Sequence, residues 1–343
     1  MEGRPRTVLV VTGSDDEHAV AVALALAERG MEPVRVDLAR LPVHGLQLEQ
    51  GGGRAASVTL GNGAGRIDPA TCAGAWWRRP GWPAASLALA ADRRRLSGGE
   101  WMAALRGLAH VVPGRWVNDP RREDVSALKV VQLEAARQVG LDVPRTLVTN
   151  DLRAARNFMA SCRDGAVLKC LSTVPDRDGT RAVSPRSPWL RSRLALGPAV
   201  LQERLHGLDL RVTVVGRRLF AAVADARAGD SPTDVREGWW NAAAAGGPYT
   251  VPGDLARRLL ALTRRLGLLY AAIDLRRRGR GDGPWQFLEV NPAGQWLHVE
   301  ATTGHPITAA LARLLAGPRA AGRVKDRAWT LAEPLSPSSR TRP

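Results

Sequence analysis

Three oxygen-bearing side chains near the C-terminal end of the chain have the types and spacing of a metal site. Asp274 precedes an Arg- and Gly-rich connection, and Glu289 and Asn291 follow it, two positions apart. Because side chains alternate along a strand, Glu289 and Asn291 are predicted to share one face, with Leu288 and Val290 directed into the core. Two carboxylates and an amide oxygen suit Mg²⁺ that also takes oxygens from the phosphates of a nucleotide.

Two β-like runs would bring these side chains together. Residues 269–275 and 285–290 flank a connection rich in turn residues, which predicts a hairpin that places Asp274 alongside Glu289. A half-buried hairpin whose polar face is simply solvated fits the same pattern. The break at Pro292, directly after the last candidate ligand, favours the edge of an active site.

Several separated motifs resemble those of ATP-grasp ligases. Residues 289–296 read Glu-Val-Asn-Pro-Ala-Gly-Gln-Trp, residues 76–80 read Trp-Trp-Arg-Arg-Pro, and residues 209–211 read Asp-Leu-Arg. With a Lys-bearing strand and a Gln-Glu segment between them, they resemble the ATP-grasp maturases of ribosomal peptides, the graspetide or microviridin type. The resemblance covers nearly the whole chain, residues 8–315.

The resemblance implies the fold class and the domain order. We expect an α/β (α+β ATP-grasp) protein in which a small open α/β domain precedes two ATP-grasp subdomains with ATP between them. The implied boundaries are 1–115 for the N-terminal pre-ATP-grasp domain, 116–198 for the central subdomain and 199–317 for the C-terminal subdomain. The Arg-, Pro- and Ser-rich tail 318–343 is predicted to be disordered.

The resemblance also implies a nucleotide site. Lys129 and Lys169 correspond to the lysines that reach the nucleotide, and Gln202 and Glu203 to the strand segment that meets adenine. Lysine is rare in this Arg-rich chain, where the remaining one is Lys325 in the tail. A lysine in such a chain indicates a site that needs a compact point charge on phosphate, although chance retention is the alternative.

Two pairs of residues are predicted to handle the substrate. Asp209 and Arg211 share one strand face, and the resemblance implies that Arg211 contacts the transferring phosphoryl group while both engage the reacting acidic side chain. Arg78 and Arg79 could form a docking surface for the acid groups of a peptide. The alternative for this pair is a tryptophan in the core with arginine stems covering its edge.

The activity that the resemblance implies is ADP-forming ligation. The γ-phosphoryl group of ATP would activate Asp or Glu side chains of a precursor peptide, and Ser/Thr hydroxyls or Lys amines would then displace the phosphate. A RimK-like ligase that adds an amino acid to a small molecule or a protein, and a non-catalytic ATP-binding protein, are the alternatives. No nucleophile on the enzyme is needed, and His298 and His305 are interpreted as structural.

Composition and charge limit the classes of partner that we expect. The formal net charge of +16 is scattered along the chain without a nucleic-acid motif, so an acidic precursor peptide with leader and core is the predicted partner and nucleic acid is not. The sequence contains no run of about 18 apolar residues, so no membrane span is predicted. Three cysteines without metal-type spacing favour the cytoplasm. A homodimer is left open.

Overall fold

The computed structural model describes most of the chain in nine segments. These are residues 6–52, 54–61, 65–81, 83, 89–111, 115–171, 180–225, 247–277 and 283–317. The predicted disordered tail, residues 172–179 and the centre of the hairpin connection lie outside the described residues.

The described residues form four sheets with helices between them. The strands are β1 Arg6–Val11, β2 Met31–Val36, β3 Leu46–Gly51, β4 Arg54–Gly61, β5 Arg66–Ile67, β6 Gly74–Trp77, β7 Trp116–Val117, β8 Thr146–Thr149, β9 Ala166–Lys169, β10 Arg181–Val183, β11 Ala199–Glu203, β12 Leu208–Val215, β13 Arg218–Asp225, β14 Tyr270–Arg277 and β15 Trp285–Asn291. The α-helices are α1 Glu17–Ala27, α2 Leu41–His44, α3 Ala91–Val111, α4 Pro120–Ser126, α5 Lys129–Gln138, α6 Leu152–Ala160, α7 Leu190–Ala195, α8 Gly253–Leu266, α9 Leu297–Thr303 and α10 Ile307–Ala316, with 3₁₀ turns at Leu38–Arg40 and Pro69–Thr71.

The N-terminal part is a parallel sheet in the order β2-β1-β6-β7, beside an antiparallel sheet of β3, β4 and β5. Helix α1 connects β1 to β2, and its first turn is capped by the Asp16 carboxylate, which accepts from the amide of His18. The βαβ start expected of an open α/β domain is therefore confirmed. Val8 and Trp76 of this sheet share one apolar cluster with Leu311 of α10, so α10 packs against the N-terminal sheet.

The central sheet is antiparallel, in the order β10-β9-β11-β8. Helices α6 and α7 cover one face, where Met159, Leu190 and Leu201 are buried together. Strand β11 belongs to this sheet although the predicted boundary at residue 198 assigned it to the C-terminal subdomain. The domain boundaries themselves stay predictions.

The C-terminal sheet is antiparallel, in the order β13-β12-β14-β15, and confirms the predicted hairpin. Asp274 of β14 lies directly opposite Glu289 of β15. The register shifts between Asp274 and Leu275, so the extra residue Leu288 forms a β-bulge. Leu288 is only half-buried, and Phe287 joins Val290 in the core instead; the prediction for Leu288 was wrong.

One face of this sheet packs against α5 and α8. Leu259 and Leu262 of α8 are fully buried against alternate residues of the strands, among them Val212 and Ile273. The other face is apolar in part, where Val215, Phe220 and Tyr270 join the cluster shared with the N-terminal sheet, and carries polar side chains elsewhere. Among the described residues, no helix combines the length and the apolar character needed to cross a membrane.

Candidate active site

The polar face of the C-terminal sheet carries a group of ionised side chains that we call the charged face. Strand register places Asp209 opposite Arg276, Arg211 opposite Asp274, and Asp274 opposite Glu289. The prediction that Asp209 and Arg211 share a face is therefore confirmed. Because burial of an unpaired charge is costly, each of these side chains needs an oppositely charged partner close by.

Arg211 binds the candidate metal ligand Asp274. Its Nη1 lies 2.7 Å from both carboxylate oxygens, and both side chains are less than a tenth exposed. Burial raises the pKa of Asp274, and attraction by Arg211 opposes that rise. The buried Nε of Arg211 has no hydrogen-bond partner among the described residues, so this guanidinium retains a donor for a ligand.

Asp209 forms the second buried ion pair of the charged face. Arg276 contacts both of its carboxylate oxygens, through Nε at 2.6 Å and Nη2 at 2.9 Å. This bidentate geometry is the strong form of a guanidinium–carboxylate contact. Arg276 is not recognisable from local sequence, because a partner on the next strand is decided by register.

Two lysines from different elements meet at Glu289. Lys129, at the start of α5, places its Nζ 2.9 Å from Oε2 of Glu289, and Lys169 at the end of β9 donates to Oε1 of Gln202 at 2.9 Å. Burial alone would raise the pKa of Glu289, but attraction by Lys129 and Lys169 lowers it to about 2. The four residues thus lie in one cleft between the central and C-terminal sheets, and Glu203 is buried next to Gln202.

The loop 292–297, which follows the last candidate ligand, is held by side chains from elsewhere in the chain. Asn118 donates through Nδ2 to the carbonyl of Pro292 at 2.9 Å and to the carbonyl of Tyr270 at 2.9 Å. The hydroxyl of Tyr270 donates to the carbonyl of Gly294 at 2.8 Å. Burial raises the pKa of Tyr270 to about 12, so this hydroxyl stays a donor at physiological pH.

Arg78 connects the N-terminal sheet to the same loop. Its side chain is only 1% exposed, its Nε lies 2.9 Å from Oδ2 of Asp16, and its Nη1 donates to the carbonyls of Ala293 and Gly294, the latter at 3.0 Å. The guanidinium also lies 5.3 Å from the ring centre of Trp296. This packing corresponds to the alternative interpretation of the Arg pair, in which arginine covers a core tryptophan.

Arg79 differs from its neighbour. It is exposed, adopts a positive φ of 33°, and donates through Nε to the carbonyl of Ala293 at 3.2 Å. Burial of part of the side chain, with repulsion from Arg78 and Arg211, lowers its pKa. Arg79 is therefore the member of the predicted pair that remains accessible near Arg211.

His18 holds the end of the loop, and the sequence analysis missed it. Its Nε2 accepts from the backbone amides of Trp296 at 3.1 Å and Leu297 at 3.4 Å, where helix α9 begins. His305 lies 3.1 Å from the carbonyl of Ala221, which fits the structural role predicted for it. Burial, and to a smaller extent repulsion by the charge of Arg211, lowers the pKa of His298 to about 4.

The donor set of the charged face fits magnesium. Asp274, Glu289 and Asn291 offer two carboxylates and an amide oxygen, and Oδ1 of Asn291 also accepts from the amide of Ala293 at 3.1 Å. Within the described segments, His, Cys, Asp and Glu form no group of three or more that could hold a metal by themselves. A metal here would take its remaining ligands from water and nucleotide, as Mg²⁺ ordinarily does.

Comparison with known proteins identifies chains with the same fold. Residues 7–124 match the model of the MvdD pre-ATP grasp domain, whereas a search of curated proteins found no match. The macrocyclase MdnC from Microcystis aeruginosa MRC, solved with its precursor peptide MdnA, is 28% identical, with 90% of this chain and 99% of MdnC covered and a TM-score of 0.75. The chain has the fold of the RiPP ATP-grasp ligases.

Two further structures extend the likeness. The Chryseobacterium gregarium RiPP-associated ATP-grasp ligase, solved with ADP and a leader and core peptide, is 24% identical over 93% of this chain and 99% of its own, with a TM-score of 0.80. PsnB, solved with a minimal precursor, Mg and ADP, is 25% identical over 90% of this chain and 96% of its own, with a TM-score of 0.68. The predicted fold class and the predicted resemblance to ATP-grasp peptide maturases are confirmed.

Proposed function

We propose that this protein is an ATP-dependent ligase that activates Asp or Glu side chains of a ribosomal precursor peptide as acyl-phosphates and joins them to Ser/Thr hydroxyls or Lys amines. The observation that carries the proposal is the meeting of Asp274 and Glu289 with Lys129, Lys169 and Arg211 in one cleft of a RiPP ATP-grasp ligase fold. Phosphoryl transfer depends chiefly on positioning and charge neutralisation, which these groups supply.

The metal side of the mechanism uses one edge of the charged face. Asp274, Glu289 and Asn291 would hold Mg²⁺, which neutralises the phosphate oxygens of bound ATP. The low pKa of Glu289, caused by its two lysine neighbours, keeps this side chain an oxygen donor throughout the physiological range. Lys129 and Lys169 would contact the phosphates of the nucleotide, and Gln202 and Glu203 would lie along its adenine.

The substrate side uses Arg211 and its surroundings. Arg211 is buried with 8% of its surface exposed, and its Nε lacks a partner among the described residues, so a transferring phosphoryl group or an acyl-phosphate oxygen would complete the hydrogen bonding of its guanidinium. Asp209 fixes Arg276 beside it and would support the reacting acidic side chain. Arg79 is exposed and would meet acid groups of the peptide, whereas enclosure gives Arg78 a supporting role.

The decisive experiment is mass spectrometry of the precursor, taken as a short acidic peptide with Ser or Thr encoded beside this gene. With protein, ATP and Mg²⁺, each ring should lower its mass by about 18 Da, with ADP and phosphate as co-products, because the site is built around γ-phosphoryl transfer. Capture should weaken with salt, since exposed charges are screened within about 10 Å at 0.1 M.

Other outcomes would contradict the proposal. An acceptor that gains the mass of an added residue would indicate a RimK-like ligase. A precursor that binds and keeps its mass with no ATP turnover would indicate a non-catalytic ATP-binding protein.

A further inference from the structure

We infer that Lys129 and Arg211 are exchangeable counter-ions of the metal ligands, so that the site takes Mg²⁺ together with a nucleotide and resists the ion alone. The inference rests on the proposed function, because it concerns the same carboxylates. It adds a competition: a cation already at each carboxylate opposes binding of the metal, and the phosphates can receive that cation.

The contacts place the side chains on the oxygens that a metal needs. Nη1 of Arg211 is equidistant, at 2.7 Å, from both oxygens of Asp274, and Nζ of Lys129 lies 2.9 Å from Oε2 of Glu289. A Mg²⁺ ion binds carboxylate oxygens at about 2.0–2.1 Å with near-octahedral geometry. Each carboxylate offers about four lone-pair sites, so a metal at the same sites would compete with the guanidinium and the ammonium, and its charge would repel both.

The charge of the cleft also favours binding of the metal together with a nucleotide over binding of the bare ion. Four cations and three carboxylates face one another there, which leaves one net positive charge when every group is ionised: Arg211, Arg276, Lys129 and Lys169 against Asp209, Asp274 and Glu289. A bare divalent cation entering this cleft would be repelled. A metal–nucleotide complex carries a net negative charge and would be attracted.

The displaced cations have a destination only when the nucleotide arrives. Phosphate oxygens accept hydrogen bonds from guanidinium and ammonium groups as strongly as carboxylates do. Arg211 also keeps a buried Nε that has no hydrogen-bond partner within the described segments. If Nη1 releases Asp274 and the guanidinium turns toward the phosphates, this Nε becomes a further donor to them.

The chain offers a matched pair of lysines for the test. Lys129 bonds directly to Glu289, whereas Lys169 bonds to the amide oxygen of Gln202, although both attract Glu289. Substitution of either lysine by Met removes one positive charge from the same cleft. Only Lys129→Met also releases a carboxylate oxygen.

The experiment measures Mn²⁺, as a paramagnetic substitute for Mg²⁺, by electron paramagnetic resonance with nucleotide-free protein. Wild-type protein should bind Mn²⁺ weakly alone and much more tightly with ADP. Lys129→Met should bind Mn²⁺ alone about tenfold more tightly, because an opposing charge next to the ion is removed. Lys169→Met removes a charge from the same cleft without releasing a carboxylate oxygen, so its gain should be clearly smaller, about twofold, and Lys129→Met with Glu289→Gln should lose the gain of Lys129→Met.

The outcomes separate this inference from the proposed function. If wild-type protein binds Mn²⁺ tightly with ADP but Lys129→Met gains nothing, the counter-ion inference is wrong and the metal site stands. An equal gain in both lysine variants would also overturn it, since net charge and not the contact would then be responsible. Absence of Mn²⁺ binding even with ADP would refute the metal site itself. Comparison of Arg211→Gln with Arg276→Gln repeats the test at the buried Arg211–Asp274 pair. Circular dichroism checks that both variants fold.

Discussion

The charged face and the loop 292–297 adjoin each other but are held in different ways. On the charged face, ionised side chains hold one another, as Arg211 holds Asp274. In the loop, side chains hold backbone carbonyls, as Asn118 holds Pro292 and Arg78 holds Gly294. A side-chain ion pair can exchange partners when a ligand brings new charge, whereas a backbone carbonyl has few alternatives. The loop therefore supplies fixed geometry, and the charged face supplies exchangeable contacts.

The largest loss of stability is expected when Arg78, which holds the loop 292–297, is replaced by Ala. The substitution removes the buried cation that is paired with Asp16 and one of the donors to each of two loop carbonyls, so we expect a loss of about 3–5 kcal/mol in the free energy of unfolding. Chemical denaturation measures it. Arg79→Ala is the matched control, because this neighbour is exposed and should change stability by less than about 1 kcal/mol. Equal losses in the two variants would contradict the distinction drawn between them.

On the charged face, Glu289→Gln should act on turnover and not on folding. The substitution removes a metal ligand whose side chain is 37% exposed, so we expect ring formation to slow by about 10²–10³-fold with an unchanged circular dichroism spectrum. Glu134→Gln, on the exposed side of α5, is the control and should leave the rate unaltered. Near wild-type turnover in Glu289→Gln would refute the metal assignment.

A smaller effect is expected where the two regions touch. A Cβ at Gly294 would lie 2.3 Å from Cβ of Ala272 and 3.4 Å from Nη2 of Arg211, so Gly294→Ala must shift the loop at a cost of about 1–3 kcal/mol. Gly98→Ala in α3 meets no atom within 4 Å and should stabilise the helix slightly. Thermal unfolding compares the two variants, and a Gly294→Ala protein as stable as Gly98→Ala would show that the loop is free to adjust.

A pH-dependent effect is expected at a carboxyl that belongs to neither ion pair. Burial, opposed in part by Arg78, raises the pKa of Glu123 from 4.5 to about 8, and its buried Oε2 has no hydrogen-bond partner in the described part of the chain. The folded state then holds a proton that the unfolded state loses, so stability should fall as the pH rises from about 4.5 to 8.

Glu123→Gln removes that dependence. At pH 8 the variant should unfold at least about 2 °C above wild type, with the difference vanishing below pH 4. Asp124→Asn on the exposed side of the same helix is the control for removal of one negative charge. A melting curve of Glu123→Gln that follows wild type at every pH would show that this carboxyl is ionised in the folded protein.

Local sequence was sufficient where a pattern repeats within a few residues. The alternation of Asp209 and Arg211 along β12 predicted their common face, and the turn-rich connection predicted the hairpin that pairs Asp274 with Glu289. It was insufficient at Leu288, because a β-bulge depends on how the partner strand is aligned. For Arg78, the motif alone left docking and packing as equal alternatives, and only the position of Trp296 distinguished them.

By itself, the sequence determined the elements, the candidate ligands and the likeness to ATP-grasp peptide maturases, because strand alternation and motif order are properties of neighbouring residues. Only the tertiary structure decided which of the distant side chains are in contact. His18 and Trp296 are 278 positions apart and Lys129 and Glu289 are 160 apart, so no local pattern relates them. Register, burial and the packing of α10 against the N-terminal sheet set those contacts, and with them the difference between a fixed loop and an exchangeable set of ion pairs.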